Sequence, residues 1–368
     1  MTRKKIMLVF GTRPEAIKMC PLILECQQRQ AEFEVVVCVS GQHAHMLMPV
    51  LDYFRIKPDY DLAVMKDEQT LSDITVAVLN KLGPVLAQEK PDILLVHGDT
   101  TTTFAAALAA FYQQIPVGHV EAGLRTYDML SPYPEEFNRH AAGILASYHF
   151  APTEWSAQNL ISEKTDPGRV FVTGNTVLDA IKSTLRQDYH HEELDWAKDS
   201  SLILVTAHRR ENQGQPMARM FAAIRRIVED HPEVKVIYPI HKNPKVRQMA
   251  DRYLRDHRRI HLIEPLDVFD FHNFMSRCHI ILTDSGGLQE EASAVKKPVL
   301  LMRNTTERPE GVEAGIIEMV GTDEERIYQS VSRLLKDQEL YQKMISGQNP
   351  FGDGFASRRI ADILAKTL

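Results

Sequence analysis

Short apolar runs recur along the whole chain, and they are apolar at successive positions rather than alternate ones. Residues 5–10, 34–39, 92–97, 116–120, 148–151 and 170–173 read this way in the first half. A strand with that pattern buries both of its faces, which is the habit of parallel sheets covered by helices on either side. Helical patterns separate the runs: residues 70–88 place Leu71, Ile74, Val78, Leu82, Val85 and Leu86 at spacings of three and four, and residues 104–112 are short and Ala-rich. Strands alternating with helices predict an α/β, doubly wound parallel sheet.

The alternation pauses over the polar stretch QDYHHEELDWAKD and then restarts, with strand-like runs at 202–206, 234–239, 260–263, 279–283 and 298–301 and a helix over 217–230. A chain of 368 residues has room for two domains of ordinary size. The expected division is a first domain over 1–175, a second over 176–350 and a C-terminal helix over 351–368, which carries Ile360, Ile363, Leu364 and Leu368 on one face. Two such sheets set against each other make a central cleft at the carboxyl ends of their strands, where open α/β folds bind ligands.

Charge narrows the partners. Lys and Arg number 43 against 49 Asp and Glu, a net charge of −6, which argues against general nucleic-acid binding and leaves room for a local basic pocket. Apolar residues at 44% exclude intrinsic disorder as the main state. The cysteines at 20, 26, 38 and 278 include no Cys-x-x-Cys pair and read as buried thiols, not as a disulfide framework or a zinc site. The apolar run 6–10 is too short for a signal-peptide core, and no stretch reaches the roughly 20 apolar residues of a membrane span. A cytoplasmic protein without a membrane partner is expected. His43 with His45, and His190 with His191, lack a carboxylate or thiol at a metal-ligand spacing, so no metal is expected.

Polar residues crowd at strand ends. The first strand runs into GTRPEAIK, where Pro14 suits a helix's first turn, and Arg13 and Lys18 could face an anion there or lie solvated on a surface helix. Asp99, in HGDTTTT, is either a site residue or the cap of the next helix, and Glu121 ends the strand in GHVEAGLRT. Glu135 and Glu136 follow Pro134 and open a helix, where acidic residues are favoured on electrostatic grounds alone. Acids at several strand and helix ends of one domain can also converge, and paired carboxylates serve proton transfer. His208 follows a strand in TAHRREN. In ILTDSGGLQEEA a strand leads through Ser285, Gly286 and Gly287 into a helix, a phosphate-binding arrangement, with Glu290 or Glu291 one turn on as a ribose acceptor. The pattern is not G-x-G-x-x-G, so the dinucleotide fingerprint is absent.

GTRPEAIK, HGDTTTT, HVEAGLRT, SPYPEE-x-NR, TAHRREN, TDSGGLQEEA and TTERPEG occur in that order. Together they resemble the non-hydrolysing UDP-N-acetylglucosamine 2-epimerases, from Gly11 to about Gly354. The resemblance implies the GT-B fold, two Rossmann-like domains with a UDP-sugar in the central cleft. It implies a homodimer, a C-terminal helix returning to the first domain, and no nicotinamide or metal cofactor. It also implies interconversion of UDP-N-acetylglucosamine and UDP-N-acetylmannosamine, serving cell-surface polysaccharide synthesis in bacteria. The implied chemistry is anti elimination of UDP, a 2-acetamidoglucal intermediate, and return of UDP with a proton on the other face.

Carried over by position, Asp99, Glu121 and Glu135 resemble the catalytic acids, and His208 the histidine near the diphosphate. Arg13, Lys18 and Arg308 match further contacts, Ser285, Gly286 and Gly287 the phosphate cradle, Glu291 the ribose contact and Phe271 a position near uracil. Gln42, His43, Arg209 and His241 match a second UDP-sugar site, but Glu68 stands where activated members carry arginine and His45 where they carry glutamine. Ser293 and Asn304 replace a usual proline and aspartate. The alternatives are an epimerase of another UDP-sugar, a hydrolysing relative and a GT-B glycosyltransferase, whereas Asp99, Glu121, Glu135 and His208 together argue against a non-catalytic sugar-nucleotide sensor, which needs no proton-transfer groups.

Overall fold

The structure is a computed structural model that describes residues 3–41, 44–66 and 69–368. The chain divides into two compact units, 1–180 with 351–368, and 181–350.

In the first unit the strands are Lys4–Phe10 (β1), Phe33–Val39 (β2), Tyr60–Asp61 (β3), Ile93–His97 (β4), Val117–Val120 (β5), Tyr148–Ala151 (β6) and Val170–Val172 (β7). They form one sheet in the order β3-β2-β1-β4-β5-β6-β7, every pair parallel. The helices are Arg13–Gln28 (α1), Ala44–Phe54 (α2), Leu71–Glu89 (α3), Thr101–Tyr112 (α4), Glu135–Leu145 (α5), Glu154–Ser162 (α6) and Thr176–Thr184 (α7). Reversal of strand order beside β1 is the doubly wound arrangement that the buried apolar runs predict.

α3 shows why these helices form and what they hold. Thr70 caps it in a capping box with Asp73, and Lys90 ends it in the left-handed conformation. Ile74, Val78, Leu82 and Leu86, each four residues apart, are its buried face. They pack with Met7, Val9, Leu94 and Val96 of the sheet and with the alanines of α4. Each such side chain stabilises by about 2 kcal/mol when buried, so Val78→Asp would disrupt this layer. The helix expected at 104–112 starts three residues earlier, at Thr101, because Thr100 supplies the cap.

The second unit has strands Ser201–Thr206 (β8), Val234–Pro239 (β9), Ile260–Ile263 (β10), Ile280–Thr283 (β11), Val299–Leu301 (β12) and Ile317–Met319 (β13), again all parallel, in the order β10-β9-β8-β11-β12-β13. Its helices are Glu192–Trp196 (α8), Gln215–Asp230 (α9), Pro244–Leu254 (α10), Val268–Arg277 (α11), Gly287–Ala294 (α12), Pro309–Glu313 (α13), Glu324–Lys336 (α14) and Gln338–Ser346 (α15). One core cluster joins β8, β9 and α9 through Ile203, Val205, Met220, Phe221, Ile224 and Tyr238.

The last helix, Ala356–Thr367 (α16), belongs to the first unit. Its first-turn amides at Ala356 and Ser357 donate to the Asp179 carboxylate, and Asp362 accepts from Arg29 of α1 at 2.6 Å. Among the described residues no helix is long and apolar enough to cross a membrane. All four cysteines are buried free thiols.

Candidate active site

The carboxyl ends of β4 and β5 and the starts of α1, α4 and α5 enclose a cavity of about 320 Å³ in the first unit. Asp99, Glu121, Glu135 and Lys18 all line it, with Thr12, His97 and Asn138. Four residues separated by up to more than a hundred positions therefore meet in one small space. Arg13, the first residue of α1, does not line it.

Local structure explains the placing. Thr12 caps α1 and Pro14 occupies its first turn. Glu15 completes a capping box: its carboxylate accepts from the amides of Gly11 and Thr12 at 3.0 and 2.7 Å and from the hydroxyls of Thr100 and Thr103 at 2.7 and 3.1 Å. That buried carboxylate ties the start of α1 to the start of α4, and burial raises its pKa. Lys18, one turn on, then reaches Glu121 Oε2. Asn175 Nδ2 donates to the same oxygen at 2.6 Å. Glu121 itself has φ +61°, so the chain turns left-handed directly after β5.

Asp99 does not cap α4, since Thr100 does; its carboxylate is instead held by Arg139 NH2. Asn138 Nδ2 donates to the Asp99 carbonyl at 3.0 Å. Arg139 also binds Glu136 at 2.9 Å, and Glu136 is fully buried, accepting from the amides of Thr126 and Tyr127 and lying 3.1 Å from His140. The adjacent acids that open α5 thus part company: Glu135 faces the cavity and Glu136 anchors an arginine.

The second unit builds a different centre where β8 and β11 end. Asp284, fully buried, accepts from the amides of His208 and Arg209 and from Asn212 Nδ2, between 2.9 and 3.1 Å. It fixes the loop that presents His208, whose ring lies 3.8 Å from the same carboxylate and stacks on His241 at 5.2 Å. Desolvation lowers the His208 pKa, with Asp284 opposing it.

Ser285, Gly286 and Gly287 lead from β11 into α12, and no side chain caps that helix. A Cβ on Gly286 would come 2.5 Å from Glu307 Oε1, 3.0 Å from Arg308 NH1 and 3.2 Å from Arg209 NH2. Backbone at this turn therefore lies close to two guanidiniums, and a methyl there would have to displace the Glu307 carboxylate. Arg308 is braced by Glu290 and Glu307, both at 2.7 Å. Burial pushes the Glu307 carboxyl up, but Arg308, Arg303 and Arg209 outweigh it and hold it at about 2. Glu290, one of the two acids expected one turn into α12, is fully buried against Arg308, whereas Glu291 is partly exposed, 3.5 Å from His272 Nε2. Phe271, on α11, is half-buried. Gln42, His43 and Glu68 lie outside the described residues, as does the side chain of His45, so of the expected second site only Arg209 and His241 are placed.

Sequence reasoning did not single out His97, Arg139, Asn175 or Asp284. The Asp in TDSGG and the Arg in SPYPEEFNR sat inside motifs already quoted, and their burial was the missing signal.

The family model described as UDP-N-acetylglucosamine 2-epimerase matches residues 25–365. A UDP-N-acetylglucosamine 2-epimerase of Bacillus subtilis (strain 168) is 56% identical over 364 residues, 99% of this chain and 96% of that one. A co-structure of S. aureus MnaA with UDP superposes with a TM-score of 0.93 at 52% identity, covering 99% of this chain and 96% of that one. The crystal structure of UDP-GlcNAc 2-epimerase from Neisseria meningitidis bound to UDP-GlcNAc gives 0.93 at 47% identity, covering 99% and 100%. At 12% identity and a TM-score of 0.69, a glycotransferase of kitacinnamycin shares the fold alone. The two parallel sheets and these superpositions make the fold α/β with two Rossmann-like units, of GT-B type. Matched from near its beginning to near its end, the chain belongs to the UDP-N-acetylglucosamine 2-epimerase family.

Proposed function

We propose that the protein is a cytoplasmic, non-hydrolysing epimerase that interconverts UDP-N-acetylglucosamine and UDP-N-acetylmannosamine. The observation that carries this reading is the cavity into which Asp99, Glu121 and Glu135 all open, with Lys18 on one of them. Inversion at carbon 2 without a redox cofactor needs groups that remove and return a proton on opposite faces of the sugar. The proton on carbon 2 is barely acidic while carbon 1 keeps its substituent. Breaking the carbon 1–oxygen bond to UDP builds cationic character at carbon 1, and a carboxylate then takes the carbon 2 proton. The products are 2-acetamidoglucal, UDP and a protonated acid. Return of UDP to carbon 1, with a proton delivered to the other face of carbon 2, completes the inversion and balances the atoms.

The first unit supplies the proton-transfer groups. Arg139 fixes Asp99, and Lys18 and Asn175 fix Glu121, so the carboxylates need little reorganisation. The groups of the second unit suited to holding a diphosphate are the open first turn of α12, His208, Arg209 and the braced Arg308. Acid–base catalysis contributes typically ~10²–10⁴-fold, and the remainder falls to the anion-binding groups. The relative solved with UDP-GlcNAc supports that choice of substrate. Buried reduced thiols suit a cytoplasmic setting. A homodimer is part of the proposal: Leu71, Val76, Tyr133 and Phe137 are exposed along an apolar groove of about 500 Å³, a patch suited to a second copy.

Proton NMR of the protein with UDP-N-acetylglucosamine in deuterated water tests the proposal. The expected result is UDP-N-acetylmannosamine with deuterium entering at carbon 2. Release of free N-acetylmannosamine would assign the hydrolysing reaction instead, and no change would overturn the substrate.

A further inference from the structure

Among the groups lining the cavity of the first unit that the proton-transfer scheme does not use, one has buried polar atoms without a hydrogen-bond partner among the described residues. His97, the last residue of β4, is 3% exposed and lines the cavity. Both of its ring nitrogens are buried and have no hydrogen-bond partner among the described residues. Its nearest carboxylate oxygen, Glu121 Oε2, is 3.7 Å from Nε2 and already accepts from Lys18 and Asn175. Burial alone does not produce this state. His119, on the neighbouring strand and fully buried, has its Nε2 2.7 Å from the Gly98 carbonyl.

The backbone is shaped around the same spot. Gly98 and Glu121, which follow β4 and β5, both adopt positive φ, +64° and +61°. A Cβ on Gly98 would stand 3.7 Å from Glu121 Oε1. Two left-handed turns side by side set His97 and Glu121 against one cavity. Folded proteins rarely leave a buried imidazole with neither nitrogen bonded, so the partner is to be sought in what fills the cavity.

We infer that His97 is a sugar-recognition residue, exchanging hydrogen bonds with a hydroxyl or acetamido group of the hexosamine that fills this cavity. A neutral imidazole offers one donor and one acceptor, which a hydroxyl or a secondary amide can match and an apolar group cannot. Burial holds the ring neutral, with a pKa of about 4, so it binds without competing for the transferred proton. The inference rests on the proposed UDP-hexosamine reading, and the experiment separates the two.

His97→Leu and His97→Gln are compared with wild type for turnover of UDP-N-acetylglucosamine, affinity for UDP, thermal midpoint and pH profile. His97→Leu removes a buried unpaired group, so it should melt no lower than wild type and bind UDP within twofold. Its kcat/KM should fall by ~10- to 100-fold. His97→Gln restores a donor and an acceptor and should recover part of the loss, and neither variant should change the shape of the pH profile. In the wild-type protein the His97 ring resonances should shift on adding UDP-N-acetylglucosamine and stay put with UDP alone, a readout independent of any variant's folding. His97→Leu with wild-type kcat/KM, ring resonances that ignore the sugar, or a lowered midpoint with UDP affinity lost in parallel would overturn the inference. Wild type inactive on UDP-N-acetylglucosamine would overturn the proposed function and this inference with it.

Discussion

Three neighbouring strands of the first unit each carry a buried histidine: His97 on β4, His119 on β5 and His149 on β6, with His119 and His149 in direct register. Desolvation is the leading cause in each case, and it holds each pKa at about 4 against an ordinary 6.5. Smaller influences differ: Glu121 opposes the shift at His97, the Gly98 carbonyl opposes it at His119, and His119, Arg125 and Arg169 add to it at His149. The sign follows from which state binds protons. As pH falls through 6.5 the unfolded chain takes up three protons, while the folded unit takes none until about 4. Stability is therefore full above about 6.5 and falls as the pH drops from there toward 4.

Between pH 7.5 and 5.5 each histidine removes about 1.4 kcal/mol, and the three together about 4 kcal/mol. That is a large fraction of the roughly 5–15 kcal/mol that holds a domain folded. Trp155 lies in the first unit and Trp196 in the second, so Trp196→Phe leaves Trp155 as the reporter of the unit in question. Urea unfolding followed by its fluorescence at pH 7.5, 6.5 and 5.5 gives the slope. The same series on His149→Leu isolates one histidine from every other contribution to the pH slope. The variant should lose about 1–2 kcal/mol less than its parent over that interval. An unchanged pH slope in His149→Leu would refute the argument that burial, rather than some other ionisation, sets the acid sensitivity.

Asp99→Asn keeps the shape of the group that Arg139 holds while removing its charge; UDP affinity should persist and turnover should fall by ~10²–10⁴-fold, and a near-full rate would take Asp99 out of the proton-transfer scheme. Gly286→Ala forces a methyl to within 2.5 Å of Glu307 and 3.0 Å of Arg308; UDP affinity by calorimetry should drop at least ~10-fold, and wild-type affinity would show that the turn after β11 holds no phosphate. Phe137→Asp places a charge on a side chain 50% exposed in the apolar groove; light scattering should find wild type at twice the 41.9 kDa chain mass and the variant at the single mass.

The sheets were legible because their strands are buried on both faces, a condition that writes consecutive apolar residues into the sequence with little ambiguity. β3 and β13 escaped notice for the opposite reason: they are edge strands of two and three residues, and Tyr60–Asp61 and Ile317–Met319 carry polar side chains that a central strand would not tolerate. The positions of Asp99, Glu121 and Glu135 at strand and helix ends followed from the same alternation. Their partners did not. Lys18 meets Glu121 across 103 residues, Arg139 meets Asp99 across 40, and Asp284 meets His208 across 76. No local pattern specifies those pairings, because each is fixed only when strand order brings two loops to one end of a sheet. His97 was the least legible of all. As the terminal residue of DILLVH it reads as the polar end of a strand, and only the structure shows a ring with both nitrogens buried at the wall of a cavity. Two of the carboxylates that the sequence marks, Asp99 and Glu121, are already held by a cation, whereas a buried group still lacking a partner emerges only from packing. A ligand's hydrogen bonds are thus best sought among buried polar atoms that the fold has left unsatisfied, and in the first unit that criterion selects His97 from the residues lining the cavity.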